Sequence, residues 1–227
     1  MEKSFRGFSL NQIFLVLHKD PFIIKPATFR LIQQLQALPE LKEFYLVGGT
    51  ALALQLNHRN SIDIDLFTSN EFENDTIINY ITSHQFDFDV KFNFKNTIIG
   101  FINKVKVDFI CHAYPLVLPP ITEEGITFLS LQDIAAMKLN AISNSGKRLK
   151  DFIDVYFLLE HFSLHEMIEF YTIKYPRFNP LIPLKAISYF DDIDPAIDPP
   201  KLRANLPLSD IKKRIHDSVL HSRKKFT

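Results

Sequence analysis

Residues Phe44–Thr68, FYLVGGTALALQLNHRNSIDIDLFT, decide how this chain is read. An apolar run, Phe44 to Val47, meets Gly48-Gly49; a short helical segment follows, and then Asp63-Ile64-Asp65 sits inside a second apolar run. Alternation along a strand sends successive side chains to opposite faces. Asp63 and Asp65 therefore point one way, while Ile62, Ile64 and Leu66 point into a core. Two carboxylates side by side on one strand repel each other and call for a cation between them. A hard divalent ion, Mg2+ or Mn2+, takes oxygen ligands and meets that need. Two of the six glycines stand together between strand and helix, where backbone amides face a phosphate. Gly-Gly alone reads as a buried turn, and Asp-x-Asp alone equally well as an exposed acidic pair. Joined in this order, with apolar flanks on both, they read as a phosphate and metal site.

The order strand, Gly-Gly, helix, Asp-x-Asp resembles the nucleotidyltransferase fold. GGTALALQLNHRNSIDIDLF, Gly48 to Phe67, is more narrowly similar to the AbiEii/AbiGii toxin-type nucleotidyltransferases. Other phosphate loops fit worse: no Gly-Lys-Ser/Thr follows the glycines, and there is no spaced G-x-G-x-x-G. The resemblance covers roughly residues 26–162 and then fades to helical character and Tyr189–Asp192, YFDD.

At 227 residues the chain is long enough for one large domain or two small ones. Hydrophobic content of 46% and charged content of 23% are those of a soluble globular protein. No apolar run approaches the roughly 18 residues that span a membrane. The patch Ile13 to Leu17 is short and no small-residue cleavage site follows it, which argues against a secretory signal. A single cysteine, Cys111, excludes an internal disulfide and fits a reducing, cytoplasmic location. Scattered histidines give a zinc site no support. With 26 basic and 26 acidic residues the net charge is zero, which neither suggests nor excludes a polynucleotide substrate. The local surplus of Lys212, Lys213, Arg214, Arg223, Lys224 and Lys225 reads first as a solvated helix end.

Periodicity predicts an α/β fold: a small mixed sheet with flanking helices, then a helical C-terminal region. Residues 28–38 read as an amphipathic helix stopped before Pro39, and 71–83 as another. Phe86 to Phe94 is the cleanest alternating strand, with Phe86, Phe88, Val90, Phe92 and Phe94 on one face. Ile98–Ile102 and Val105–Ile110 follow as a hairpin around Asn103-Lys104. Pro115, Pro119, Pro120 and Gly125 break the pattern, which puts a domain boundary at 125/126: residues 1–125 the α/β domain, 126–227 the helical one. Helical patterns then cover 130–144, 148–161, 164–174, 181–190 and 208–223, with a Pro- and Asp-rich extended segment at 191–207.

Asp108, in KVKVDFI, shares a face with Lys104 and Lys106, so an exposed ion pair is one reading. By resemblance it is a third carboxylate on a later strand, a metal ligand or the general base for the incoming hydroxyl. Lys138 falls within the apolar stripe of its helix, four after Ile134 and four before Ile142. It either snorkels or faces an anion, which a triphosphate would supply. DIAAMKLNAI also fits the family's lysine motif. Arg148, Lys150, Asp151 and Asp154 open the next helix. Acidic residues there suit the helix dipole, while the resemblance implies that Asp151 or Asp154 is catalytically required, orienting the lysine or the nucleotide. His58, Arg59 and Ser61 read as turn residues or, for Arg59, a phosphate clamp, with Ser61 a cap or a modification target.

The expected site is thus Asp63, Asp65 and Asp108 for metal, with Lys138, Asp151 and Asp154 beside them. Gly48, Gly49, Thr50, Arg59, Ser61 and Lys138 would take the nucleotide. The resemblance implies transfer of a nucleoside monophosphate from an NTP to a hydroxyl of RNA or tRNA, by a toxin that an antitoxin restrains. Transfer to a small molecule or protein side chain, or a non-catalytic nucleotide- or partner-binding module, are the alternatives.

Overall fold

The computed structural model describes residues 16–226. Most of the Ile13–Leu17 patch lies outside the described residues. Seven strands, β1 (Tyr45–Val47), β2 (Ile64–Thr68), β3 (Phe88–Asn93), β4 (Thr97–Ile102), β5 (Val105–Cys111), β6 (Ile121–Glu123) and β7 (Ile126–Phe128), form one sheet in the order β3-β4-β5-β2-β1-β7-β6. The pairs β2–β5 and β1–β7 are parallel and the others antiparallel, so the sheet is mixed as predicted. Its register sorts the side chains. Leu46, Ile64, Leu66, Ile98, Ile102, Val107 and Phe109 are fully buried on one face. The opposite face carries Val47, Asp65 and Phe67 across β1 and β2, and Asp108 and Ile110 beside them on β5.

Helix α1 (Pro26–Gln36) packs on β7, and α3 (Asn74–Ser83) on β3. The short α2 (Gly48–Leu56) joins β1 to β2, buries most of its residues, and touches both strands. Beyond the sheet, α4 (Leu131–Asn144) is the hub of α5 (Leu149–His161), α6 (Leu164–Lys174) and α7 (Leu181–Ala186), while α8 (Leu208–Leu220) closes on α5. Ser130 caps α4 by accepting from Asp133 N at 3.0 Å, and Ser163 with Glu166 forms a reciprocal capping box on α6. On α8, Arg214 pairs with Glu160 at 2.6 Å and lies 3.6 Å over the Tyr156 ring. One member of the C-terminal basic cluster is therefore an internal tie.

Three expectations change. Ile62 precedes β2 and is 51% exposed, so it is not a core residue. The alternation of Phe86–Phe94 breaks at a bulge between Val90 and Phe92, and Phe92 and Phe94 are exposed; β3 is the edge strand of the sheet. The boundary at 125/126 falls inside a hairpin. Glu124 and Gly125 both have positive φ, 50° and 77°, the backbone of a tight two-residue turn between β6 and β7. Because β7 pairs with β1, the sheet continues to Phe128 and the helical region begins after it. A strand of three residues, such as β6, leaves no periodicity to read.

Candidate active site

The site is built where β1 turns into α2. Gly48 adopts φ +69°, and a Cβ there would overlap the Asp65 Oδ2 atom. Only glycine allows both the left-handed backbone and the carboxylate against it. A Cβ on Gly49 would overlap the Arg59 guanidinium. The first amides of α2 have no partner within the helix, so the turn offers donors beside the carboxylates. Thr50 is buried, and its hydroxyl reaches Ser61 Oγ at 2.8 Å and the Asp63 carbonyl. It ties the helix to the 57–63 loop instead of facing the cleft.

A cleft of about 260 Å3 opens between this turn, the polar sheet face, α4 and the start of α5. Gly48, Gly49, Ser61, Asp63 and Asp65 line it from the sheet side, and Lys138, Arg148, Lys150 and Asp151 from the helical side. Asp65 and Asp108 are direct neighbours on parallel strands. Burial, then the charges of Asp108 and Asp63, raise the Asp65 carboxyl to about 6, against the pull of Lys106 and Lys138. Lys106 Nζ donates to Asp108 Oδ2 at 2.8 Å, while the buried Asp108 Oδ1 has no hydrogen-bond partner. The ion pair expected for Asp108 exists and occupies one oxygen; Asp108 neighbours Asp65 but is not among the residues that line the cleft, and its other oxygen is buried.

Lys138 is buried, and the anion it faces is internal: Nζ lies 2.8 Å from Asp151 Oδ1 and 2.7 Å from Asp154 Oδ2. Asp154 also receives Arg59 through two bonds, Nε–Oδ1 at 2.6 Å and Nη2–Oδ2 at 2.9 Å, and His58 Nε2 at 2.8 Å. Burial alone would raise the Asp154 carboxyl; the Arg59 and Lys138 charges and the bonds from Arg59 and His58 outweigh it and hold it well below the usual carboxylate range. Burial keeps His58 below its ordinary 6.5 despite Asp154, so the neutral ring donates from Nε2. The phosphate clamp expected at Arg59 is thus replaced by a strut. Asp151 borders the cleft whereas Asp154 is sealed beneath it, which separates two residues that sequence spacing left equivalent.

Sequence reasoning missed the far end of the cleft. His112 extends the Asp108 face two steps of alternation further, a signal available in the sequence. It meets Phe67 at 5.6 Å between ring centroids and Tyr175 OH at 3.1 Å. Burial, then the Lys174 charge, lowers His112 to about 4. Tyr175 comes from the end of α6, and nothing local in the sequence marks it.

Asp63, Asp65 and Asp108 suit a cation by charge, and the unpartnered Asp108 Oδ1 is a buried oxygen lacking a donor. Among the described residues no group of three His, Cys, Asp or Glu side chains forms a ready metal shell.

The family described as nucleotidyl transferase AbiEii toxin, type IV TA system, matches residues 30–204. An uncharacterized protein of Aquifex aeolicus (strain VF5) is 32% identical over 169 residues, which cover 71% of this chain and 80% of that protein. Among solved structures, JHP933 from Helicobacter pylori superposes with a TM-score of 0.56 at 19% identity, over 88% of this chain and 90% of that one. MenT4, a nucleotidyltransferase toxin from Mycobacterium tuberculosis H37Rv, gives 0.56 at 15% identity over 85% and 81%. These two likenesses bear on the fold, and the sequence match decides kinship: the chain belongs to the AbiEii nucleotidyltransferase toxin family of type IV toxin-antitoxin systems.

Proposed function

We propose that this protein transfers a nucleoside monophosphate from an NTP to a hydroxyl of RNA, with the 3′ end of tRNA as acceptor, and that a cognate antitoxin restrains it in the cytoplasm. The observation that carries the reading is the stacking of Gly48 on Asp65 beside Asp108, which brings phosphate-facing amides against paired carboxylates. Asp63, Asp65 and the free Oδ1 of Asp108 would hold Mg2+ or Mn2+. Held there, such an ion would supply charge that neutralises the phosphates and would lower the pKa of the attacking hydroxyl.

The chain's own groups do the rest. The amides of Gly48 and Gly49 orient phosphate oxygens at the start of α2. The acceptor oxygen bonds to the α-phosphorus, the bond to pyrophosphate breaks, and Asp108 Oδ1 is the nearby base for the released proton when it is not a metal ligand. Lys138 lends positive charge to the cleft, and Asp151 fixes its ammonium at the cleft wall. Asp154, Arg59 and His58 hold that pair from behind.

Incubating the protein with each labelled NTP, Mg2+ and total RNA tests the reading: label should enter RNA, and Asp65→Asn should abolish it. Wild-type transfer by Asp65→Asn would remove the carboxylates from the chemistry. A bound NTP also stabilises the native state by mass action. Absence of any thermal shift with all four NTPs and Mg2+ would instead favour a module without turnover.

A further inference from the structure

Four permanently cationic side chains line the cleft: Arg59, Lys138, Arg148 and Lys150. The first two are held by Asp151 and Asp154 and are nearly inaccessible. Arg148 and Lys150 differ. They stand at the start of α5, Arg148 as its N-cap residue and Lys150 in its first turn, and their partner is Asp198, far along the chain. Lys150 Nζ lies 2.5 Å from Asp198 Oδ1, and Arg148 Nη2 lies 3.3 Å from Asp198 Oδ2. Asp198 itself lines the cleft together with Gly48, Asp63 and Asp65.

The segment that delivers Asp198 is a strap. Between α7 and α8 it contains no helix or strand. Its near side is fixed by Asp194 N donating to Lys147 O, and its far side by Asn60 N donating to Lys201 O, each at 3.0 Å. Asp198 lies between these anchors with φ +52°, a left-handed conformation. A planar guanidinium and a lysine ammonium converging on one carboxylate make the donor set that recognises phosphate. Solvent screens the Arg148–Asp198 half, whose side chains are 49% and 39% exposed, while the Lys150 side chain is 12% exposed and makes the closer contact. A terminal phosphate exceeds a carboxylate in charge and acceptor oxygens, and a backbone phosphodiester equals it in both, so either competes for the two donors.

We infer that Arg148 and Lys150 form a phosphate subsite at the cleft mouth, which the Asp198 carboxylate fills in the free protein and a substrate phosphate takes over. The inference rests on the nucleotidyl-transfer reading for its ligand, and two sources share the chemistry: the polyphosphate tail of the NTP and the backbone of an RNA acceptor. Asp198→Asn is the informative change. It keeps the shape, removes the charge, and asparagine tolerates the left-handed backbone.

Three probes are titrated in parallel: tripolyphosphate without metal, each NTP with Mg2+, and a labelled single-stranded RNA oligonucleotide. Asp198→Asn should tighten tripolyphosphate about three- to tenfold, together with whichever natural ligand uses the subsite. Lys150→Gln and Arg148→Gln should weaken the same ligands, and the gain from Asp198→Asn should vanish in the Lys150→Gln background, as coupled groups require. Asp191→Asn makes the same charge change elsewhere on the strap and should leave affinity unchanged. Unchanged or weaker tripolyphosphate binding by Asp198→Asn would overturn the inference, as would a gain that persists without Lys150 or appears equally in Asp191→Asn. Failure of the transfer assay with an intact tripolyphosphate response would instead count against the nucleotidyl-transfer reading alone.

Discussion

Lys138 sits where a leucine would pack, and two carboxylates of the next helix keep it there. Burial would lower its pKa, but Asp154 and Asp151 outweigh that and raise it. An unmatched buried charge is worse than the pair. Lys138→Met should therefore destabilise the protein by about 3 kcal/mol, because Asp151 loses its partner and Asp154 keeps only Arg59 and His58. Denaturant unfolding checks it, and a midpoint equal to wild type would mean the pairs add nothing. The contrast between the two aspartates is sharper still. Asp151→Asn, at the cleft wall, should cost about 1 kcal/mol and impair transfer, whereas Asp154→Asn, beneath it, should cost about 3 kcal/mol or more by stranding the Arg59 charge. Equal losses of stability would contradict the assignment of separate roles. Gly49→Ala should cost about 2 kcal/mol, since the guanidinium it would displace is pinned by two bonds to Asp154 and cannot yield.

The helices are locked to the sheet's rim by a second buried ion pair, outside the cleft. Asp133, in the first turn of α4, accepts from Val117 N at 3.0 Å, Leu118 N at 3.2 Å, Ser130 Oγ at 2.6 Å and Lys174 Nζ at 2.8 Å. One carboxylate thus satisfies the 115–118 crossing, the cap of α4 and the end of α6. Lys174 is fully buried, with Asp133 and the Pro115 carbonyl as its acceptors. Asp133→Ala should destabilise by about 3–5 kcal/mol by leaving that ammonium buried and unpaired. Because Asp133 does not border the cleft, the folded fraction should bind NTP with wild-type affinity. Loss of affinity at unchanged stability would place Asp133 in the site instead.

Acid response is set by groups of opposite sign spread across the fold. His112, at about 4 when folded against an ordinary 6.5, stays neutral while the unfolded chain takes up a proton. Its contribution is present above pH 6.5 and is lost as pH falls toward 4. His58, also lowered by burial, acts in the same direction. Asp65 does the reverse. Raised from 3.8 to about 6, it binds a proton in the folded protein first, so the metal-free protein gains stability as pH falls through 6 toward 4. The His112 and Asp65 swings are of order 1–3 kcal/mol, at about 1.4 kcal/mol per pH unit. Asp65→Asn should therefore raise stability at pH 7 and steepen the loss between pH 6.5 and 4, while His112→Gln should flatten it. Urea unfolding of the three proteins at pH 4.5, 5.5 and 7 decides; parallel profiles would show that neither group is perturbed by folding.

Local spacing along the chain was enough for a good part of this picture. Alternation around Asp63-Ile64-Asp65, paired glycines after an apolar run and a lysine inside a helical stripe identified the sheet, the turn, the paired carboxylates and the kinship with AbiEii toxins. The helices from 130 onward were legible because their apolar periods are long. Which charges meet depends instead on how the distant segments pack. Arg59, Lys138, Asp151 and Asp154 were all singled out, yet that Asp154 neutralises Arg59 and Lys138 together depends on the loop after α2 meeting α4 and α5. The bulge in β3, the sheet role of β7 and the reach of Asp198 across the cleft to Arg148 and Lys150 are likewise contacts between distant segments. Periodicity fixes the face on which a side chain projects; the partner it finds there is set by packing, since charge and burial are balanced only when the chain has closed on itself.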